Sequence, residues 1–238
     1  MKSINNVNNN SAVMKKTIKR PGISIRIKEP GSAITHFIAA ILTLVGTCPL
    51  MMRAHQNNAD NMSAIALIVF CTSMFLLYMS STILHTFDIS PSVNEMLQKL
   101  DHAMIYVLIA GSYTPVCLIP LRGKTGYTLL AIVWTIAILG IIFKLIWIKC
   151  PKWLGSSIYI ALGWACLGAF PAILKALTTV EFAWLLAGGI IYTIGGVIYA
   201  LKLSIFNKKH KFFGSHEIFH LFVMAGSFCH FVVMFYLA

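Results

Sequence analysis

The chain has 238 residues, 58% of them apolar and only 11% charged, with a mean hydropathy of +0.79. No soluble domain of this length needs that much apolar surface to fill its core, so the composition describes a polytopic membrane protein. The net charge of +12 sits on basic residues that flank apolar runs, without interleaved exposed aromatics, which argues for membrane topology and against nucleic-acid binding.

Residues 1–30 are polar, first Asn-rich ("NNVNNN") and then basic ("KKTIKR"), and lack the short apolar core of a cleavable signal peptide. They are expected to form a cytoplasmic N-terminal segment, followed by one membrane domain over 31–238. Within that segment "ISIRIK" alternates as a strand does, but beside a membrane it reads as a short interfacial stretch without an assigned function. Seven apolar runs follow, at 33–53, 63–87, 97–119, 126–148, 154–175, 183–204 and 212–238. Each suits the roughly 20 helical residues that cross a hydrocarbon layer. The predicted fold is therefore all-α, a seven-transmembrane helix bundle. With the N-terminus in the cytoplasm and the C-terminus outside, all but four of the 19 lysines and arginines fall on the inner side, the exceptions being Arg53, Arg122, Lys124 and Lys175.

Ser92 followed three residues later by Glu95 predicts a capped helix start near Val93 that carries Asp101 into the third span. Pro115 and Pro171 lie inside spans, where proline frees a carbonyl and kinks the helix. The six cysteines (Cys48, Cys71, Cys117, Cys150, Cys166 and Cys229) show no C-x-x-C spacing and read as free thiols, although Cys48 and Cys117 both fall near outer span ends and could pair.

Ionisable side chains in spans are costly and mark functional interiors. Here the second span ends with Ser81 and His85, four apart on one face; the third begins with Asp101 and His102; the seventh carries His216 and His220. The alternation of span direction brings all of these to the cytoplasmic side. A lone histidine in a span is more often a packing residue, but three histidines and an aspartate in one layer reverse that expectation for the set. His85, His216 and His220 supply three imidazoles with one position left open, the ligand set of a catalytic zinc. Asp101 then serves as base for a water at the metal, and Ser81 orients the reacting group. His102 and His230 read as structural, with His102 nearer the site, and His55 and His210 as loop residues.

"HEIFH" also matches H-E-x-x-H, the helix motif of zinc proteases, in which the glutamate activates water. The motif occupies the last span, and an aspartate ligand from an earlier helix leaves His85 unexplained. Glu217 is accordingly read as a polar residue of the helix face, not as a general base.

The segments "EPGSAITH", "SSTILHTFD", "LDHAMIYVLIAGSYTP" and "SHEIFHLFVMAGS", in that order over residues 29–238, resemble the hemolysin III family, within the wider group of progestin and adiponectin receptors and alkaline ceramidases. The resemblance implies a seven-helix bundle with zinc on three histidines, which map onto His85, His216 and His220. It also matches Ser81 and Asp101 to the family's serine and aspartate, and gives Ser32, Thr35 and His36 a supporting role. The expected function is a multi-pass cell-membrane zinc hydrolase of a lipid amide or ester bond, with a role in membrane homeostasis. The alternatives are a receptor-like membrane sensor with structural zinc, and a cytolysin. Expected partners are a membrane lipid and no nucleic acid; a homo-oligomer is compatible with the sequence.

Overall fold

The structure, a computed structural model, describes residues 27–201 and 214–238. These form eight α-helices: α1 (Pro30–Gln56), α2 (Asn61–Thr86), α3 (Pro91–Leu118), α4 (Lys124–Ile146), α5 (Lys152–Gly163), α6 (Phe170–Ala176), α7 (Thr179–Leu201) and α8 (Ser215–Leu237), with a 3₁₀ segment at Ala165–Ala169 joining α5 to α6. There is no strand among the described residues; most of "ISIRIK" lies outside them. The predicted runs all fall on helix over their described parts. Among the described residues six rods are long and apolar enough to cross a membrane, counting Lys152–Ala176 as one. The third run is helical too, but α3 is not among those six. Asp101, His102 and the polar stretch Ser112–Thr114 dilute its apolar character.

The helices close into a ring, α1 packing on α2 and α8, α2 on α3, α3 on α4, α4 on α5 and the 3₁₀ segment, α5 on α7 and α7 on α8. Large side chains such as Tyr78, Tyr106, Phe70 and Met234 fill the interior, whereas Leu42, Val45, Leu139 and Phe228 face outward. In a bilayer such apolar exteriors are solvated by lipid, so association depends on close packing and small residues. Gly195 of α7 shows this: a Cβ there would stand 2.6 Å from Phe222 Cβ on α8.

Two local expectations need correction. The cap of α3 is Ser90, whose Oγ accepts the Val93 N–H at 3.3 Å, and Ser92 is already helical. Pro91 sets the start, because its fixed φ and missing N–H suit the first helical position. Glu95 instead pairs with Lys99 one turn on, at 3.0 Å. The second correction concerns Pro171, which does more than kink its rod. The helix ends at Gly163 and resumes at Phe170, with Pro171 in the first turn of α6. Irregular backbone at this depth needs partners from neighbouring helices, and Tyr113 of α3 supplies them. Its hydroxyl donates to the Gly163 carbonyl at 2.6 Å and accepts the Cys166 N–H at 3.0 Å. Pro115 lies inside a continuous α3, as Pro49 does inside α1. All six cysteines are free thiols, Cys48 and Cys117 included.

Candidate metal centre

His85 sits in the last turn of α2 and His216 and His220 in the first two turns of α8, after an N-cap at Gly214. A four-residue spacing puts both α8 rings on one helix face, and that face meets the end of α2. One ring nitrogen from each of the three histidines lies within 4.8 Å of the other two. His85 and His220 are buried, 5% and 2% exposed, and His216 is half-buried. The closest approach is His216 Nε2 to His85 Nε2, 3.2 Å.

Ligands held at 2.0–2.1 Å around a tetrahedral zinc stand about 3.3–3.5 Å apart. The His85–His216 pair, at 3.2 Å, is close to that spacing, and His220 Nδ1 is buried without a hydrogen-bond partner among the described residues. The donor set thus fits a metal ion. His85 is oriented from behind: its Nδ1 lies 2.6 Å from Glu29 Oε2. A proton on Nδ1, donated to the carboxylate, leaves the Nε2 lone pair facing the other two rings, the arrangement that fixes a metal-binding tautomer. The Glu29 backbone N–H also donates to the His85 carbonyl at 2.9 Å, and Lys28 N–H to that of Thr86 at 3.3 Å. This stretch therefore satisfies carbonyls at the end of α2 that have no partner within the helix. The Glu29 carboxyl is held below the usual carboxylate range, chiefly by its hydrogen bond to His85 and against the cost of partial burial.

The sequence reading assigned Glu29 no role. Its signals were an acidic residue just before the first span in an otherwise basic segment and its place at the head of "EPGSAITH". Glu217, the glutamate of the H-E-x-x-H match, belongs to neither the histidine cluster nor the cavity wall. Its Oε1 accepts from Ser32 Oγ of α1 at 2.8 Å and its Oε2 from the Gly214 N–H at 2.7 Å, so it ties α1 to the start of α8. Thr35 bonds back to Gly31 and Ser32 carbonyls within α1. His36 stacks on His220 with ring centroids 3.7 Å apart and meets Tyr78 edge-on at 5.1 Å, giving a wall to one ligand ring.

Ser81, Asp101, His216 and His220 all border one cavity of about 190 Å³ inside the bundle. Ser81 is 1% exposed and lies beside the Asp101 carboxyl, with no short hydrogen bond from its Oγ among the described residues. Beyond this polar end the walls are apolar, with Ile109, Phe182 and Val223 among them. Leu167, Phe170 and Leu186 line the cavity and are also exposed on the outer surface of the bundle. His102 and His230 border the cavity as well, His230 packing edge-on against Tyr192 at 5.2 Å. His55 is exposed in the last turn of α1, and His210 lies outside the described residues.

Apolar helices of membrane-crossing length, a histidine cluster able to take a metal ion and a largely apolar cavity beside it together define a class: helical multi-pass membrane proteins with an internal site. The comparisons narrow it. A family model described as "Haemolysin-III related" matches residues 25–231. Hemolysin-3 of Bacillus cereus is 41% identical over 210 residues, 88% of this chain and 91% of the relative. The Hemolysin-3 homolog of Bacillus subtilis (strain 168) is 37% identical over 210 residues, 88% and 94% of the two chains. The adiponectin receptor protein of Drosophila melanogaster is 26% identical across 85% of this chain and 49% of its own length. The chain belongs to the hemolysin III family and is a multi-pass cell-membrane protein.

Proposed function

We propose that the protein is a zinc-dependent hydrolase of an amide or ester bond in a membrane lipid. The observation that carries this reading is the three-histidine cluster, of which His216 and His220 border a largely apolar cavity that Asp101 and Ser81 also line. His85, His216 and His220 would hold the metal, with Glu29 orienting His85 and His36 backing His220. When bound, zinc supplies Lewis-acid chemistry, polarising a carbonyl and making water acidic enough to attack near neutral pH. The apolar walls receive an acyl chain and exclude bulk water, which strengthens every electrostatic contact at the polar end. Asp101 accepts the proton of the attacking water at its carboxylate as the new carbon–oxygen bond forms. Ser81 donates to the developing oxyanion. The carbon–nitrogen or carbon–oxygen bond then breaks, and the proton held by Asp101 passes to the leaving amine or alcohol.

The orientation belongs to the same proposal: seven crossings, α3 included, with the histidine cluster near the cytoplasmic face. Asn58, exposed in the turn between α1 and α2, is then extracellular. A cysteine placed there should react with an impermeant thiol reagent from outside in a background lacking the native cysteines.

Asp101→Asn tests the chemistry. It keeps size and shape, removes the base, and should lower release of fatty acid from a lipid extract by about 10²–10⁴-fold with bound zinc retained. Equal turnover in Asp101→Asn and wild type would overturn the hydrolase. A second reading, a sensor in which zinc only clamps helices, draws on the cluster's joining α2 to α8, and predicts that Asp101→Asn behaves normally while histidine variants fail. The name hemolysin attaches to the Bacillus cereus relative; lysis by this chain would follow equally from disturbance of the membrane when it is overproduced.

A further inference from the structure

Lys144, in the last turn of α4, is 4% exposed, and Cys150, in the connection to α5, is 8% exposed. Lys144 Nζ donates to Cys150 Sγ at 3.0 Å and lies 5.9 Å from the centre of the Tyr159 ring. A buried ammonium is costly without an anion beside it, and no Asp or Glu forms an ion pair with Lys144 among the described residues. The neighbouring lysines are answered differently. Lys149 lies near enough to Glu95 to act on its carboxylate, and Lys152 Nζ stands 4.2 Å over the Tyr199 ring. A thiol is a weak acceptor, so hydrogen bonding alone gives little reason to bury this amine against it.

The local backbone is built around the contact. The Cys150 N–H donates to the Trp147 carbonyl at 3.3 Å, in a turn that brings the thiol back to the end of α4. From the other side α5 presents Gly155, where a Cβ would stand 2.9 Å from Lys144 Nζ and 3.8 Å from Cys150 Sγ. A larger residue there would push into the pair. Both side chains also line a cavity of about 150 Å³. A water needs only about 10–15 Å³, so a diatomic molecule has ample room beside the sulfur.

We propose that Lys144 and Cys150 form a redox modification site, closed by a covalent bridge in which one oxygen atom joins Nζ to Sγ, with dioxygen as the oxidant. The thiol, the amine and one dioxygen give the bridge and one water. The S–H bond, one N–H bond and the O–O bond break, S–O and N–O bonds form, and both hydrogens leave on the second oxygen. Sulfur and nitrogen each give up two electrons, and dioxygen takes all four. The bridge puts a neutral group where a buried cation stood, which removes the cost of the charge, and it ties the end of α4 to the connection into α5. An external thiol reverses it, regenerating amine and thiol with one water as the reductant leaves as two disulfides. The inference needs neither zinc nor lipid hydrolysis.

Full-length protein is purified in detergent under argon with dithiothreitol and divided. One half stays reduced and the other goes into air-saturated buffer; both are then alkylated and weighed by mass spectrometry, intact and as peptides. The aerated half should contain a species heavier by one oxygen and lighter by two hydrogens, localised to a Lys144–Cys150 bridge. Cys150 in that species should resist alkylation until dithiothreitol restores it. Lys144→Met and Cys150→Ser should each abolish the species. Gly155→Ala keeps both reacting groups but displaces Nζ, the far end of a flexible side chain, so the helix tolerates it and bridging should slow about tenfold or more. That variant tests the site even where a change at the buried lysine unfolds the chain. No bridged species in aerated wild type would overturn the proposal. So would one oxygen on Cys150 alone, in wild type and Lys144→Met alike, or a disulfide from Cys150 to another cysteine. An unchanged rate in Gly155→Ala would overturn the packing argument that sets up the pair.

Discussion

Glu29→Gln isolates what the carboxylate does for the histidine cluster. The amide is the same size and still offers an oxygen to His85 Nδ1, now 2.6 Å from Glu29 Oε2, but it carries no charge. Such outer partners of a ligating histidine are worth 10–100-fold in metal affinity, or about 1.4–2.8 kcal/mol at 1.4 kcal/mol per decade. The Glu29 side chain is 45% exposed, so solvent screens part of its field on the 6% exposed His85 ring. The expected loss is therefore at the low end, about tenfold. The assay is competition for zinc against a chelator of known affinity, on purified protein, with thermal unfolding run alongside. Glu29→Ala should cost more, because it also frees the ring to rotate. The backbone bond from Glu29 N–H to the His85 carbonyl survives either change, so helix α2 should stay capped. Zinc affinity within twofold of wild type for Glu29→Gln would refute the argument that this carboxylate tunes the site.

Tyr113→Phe removes the hydroxyl that serves both the Gly163 carbonyl and the Cys166 N–H at the break between α5 and α6. Unfolding of the detergent-solubilised protein should show a loss of about 1–3 kcal/mol, and an unchanged midpoint would mean the break is satisfied in another way. Just beyond the end of α3, Arg122 Nη1 pairs with Asp60 Oδ2 at 2.6 Å, and Asp60 caps α2 through Ser63 N–H. Hydrogen bonds from Arg122 and Ser63 hold the Asp60 carboxyl below the usual carboxylate range. A depressed folded-state value means that the stabilisation is complete above the ordinary carboxylate range and fades as pH falls below it. Asp60→Asn should therefore lower the unfolding midpoint at pH 7, with the gap to wild type closing only in strong acid; a gap that shrinks between pH 8 and 5 would contradict this.

The site was legible where span direction and helical spacing act together. His85 ends one rod, His216 and His220 begin another on a single face, and alternating direction brings those ends to one side of the bundle. Asp101 and Ser81 follow from the same reasoning, since Ser81 lies within two turns of the end of α2 and Asp101 within about three turns of the start of α3. Glu29 was not legible, because it precedes the first span and reaches His85 only through a backbone path along α2 that no periodicity encodes. Lys144 was read as one more inward-side cation; its burial depends on how α4 and α5 close over it. The cap of α3 was misplaced by two residues because Ser92 fits the four-residue pattern while Pro91 sets the start one position earlier in the chain. In the rod at 154–175 the apolar composition is uninterrupted, and the break between Gly163 and Phe170 depends on Tyr113, a residue of another helix.

The central claim is that His85, His216 and His220 hold one zinc ion. Metal analysis of protein purified without added metal or chelator, beside His85→Ala, His216→Ala, His220→Ala and Glu217→Gln prepared in the same way, tests it most directly. The account predicts about one zinc per chain in wild type, loss in each histidine variant at unchanged helical content, and full retention in Glu217→Gln. Full zinc in His85→Ala, or loss of zinc in Glu217→Gln with the three histidines intact, would contradict it.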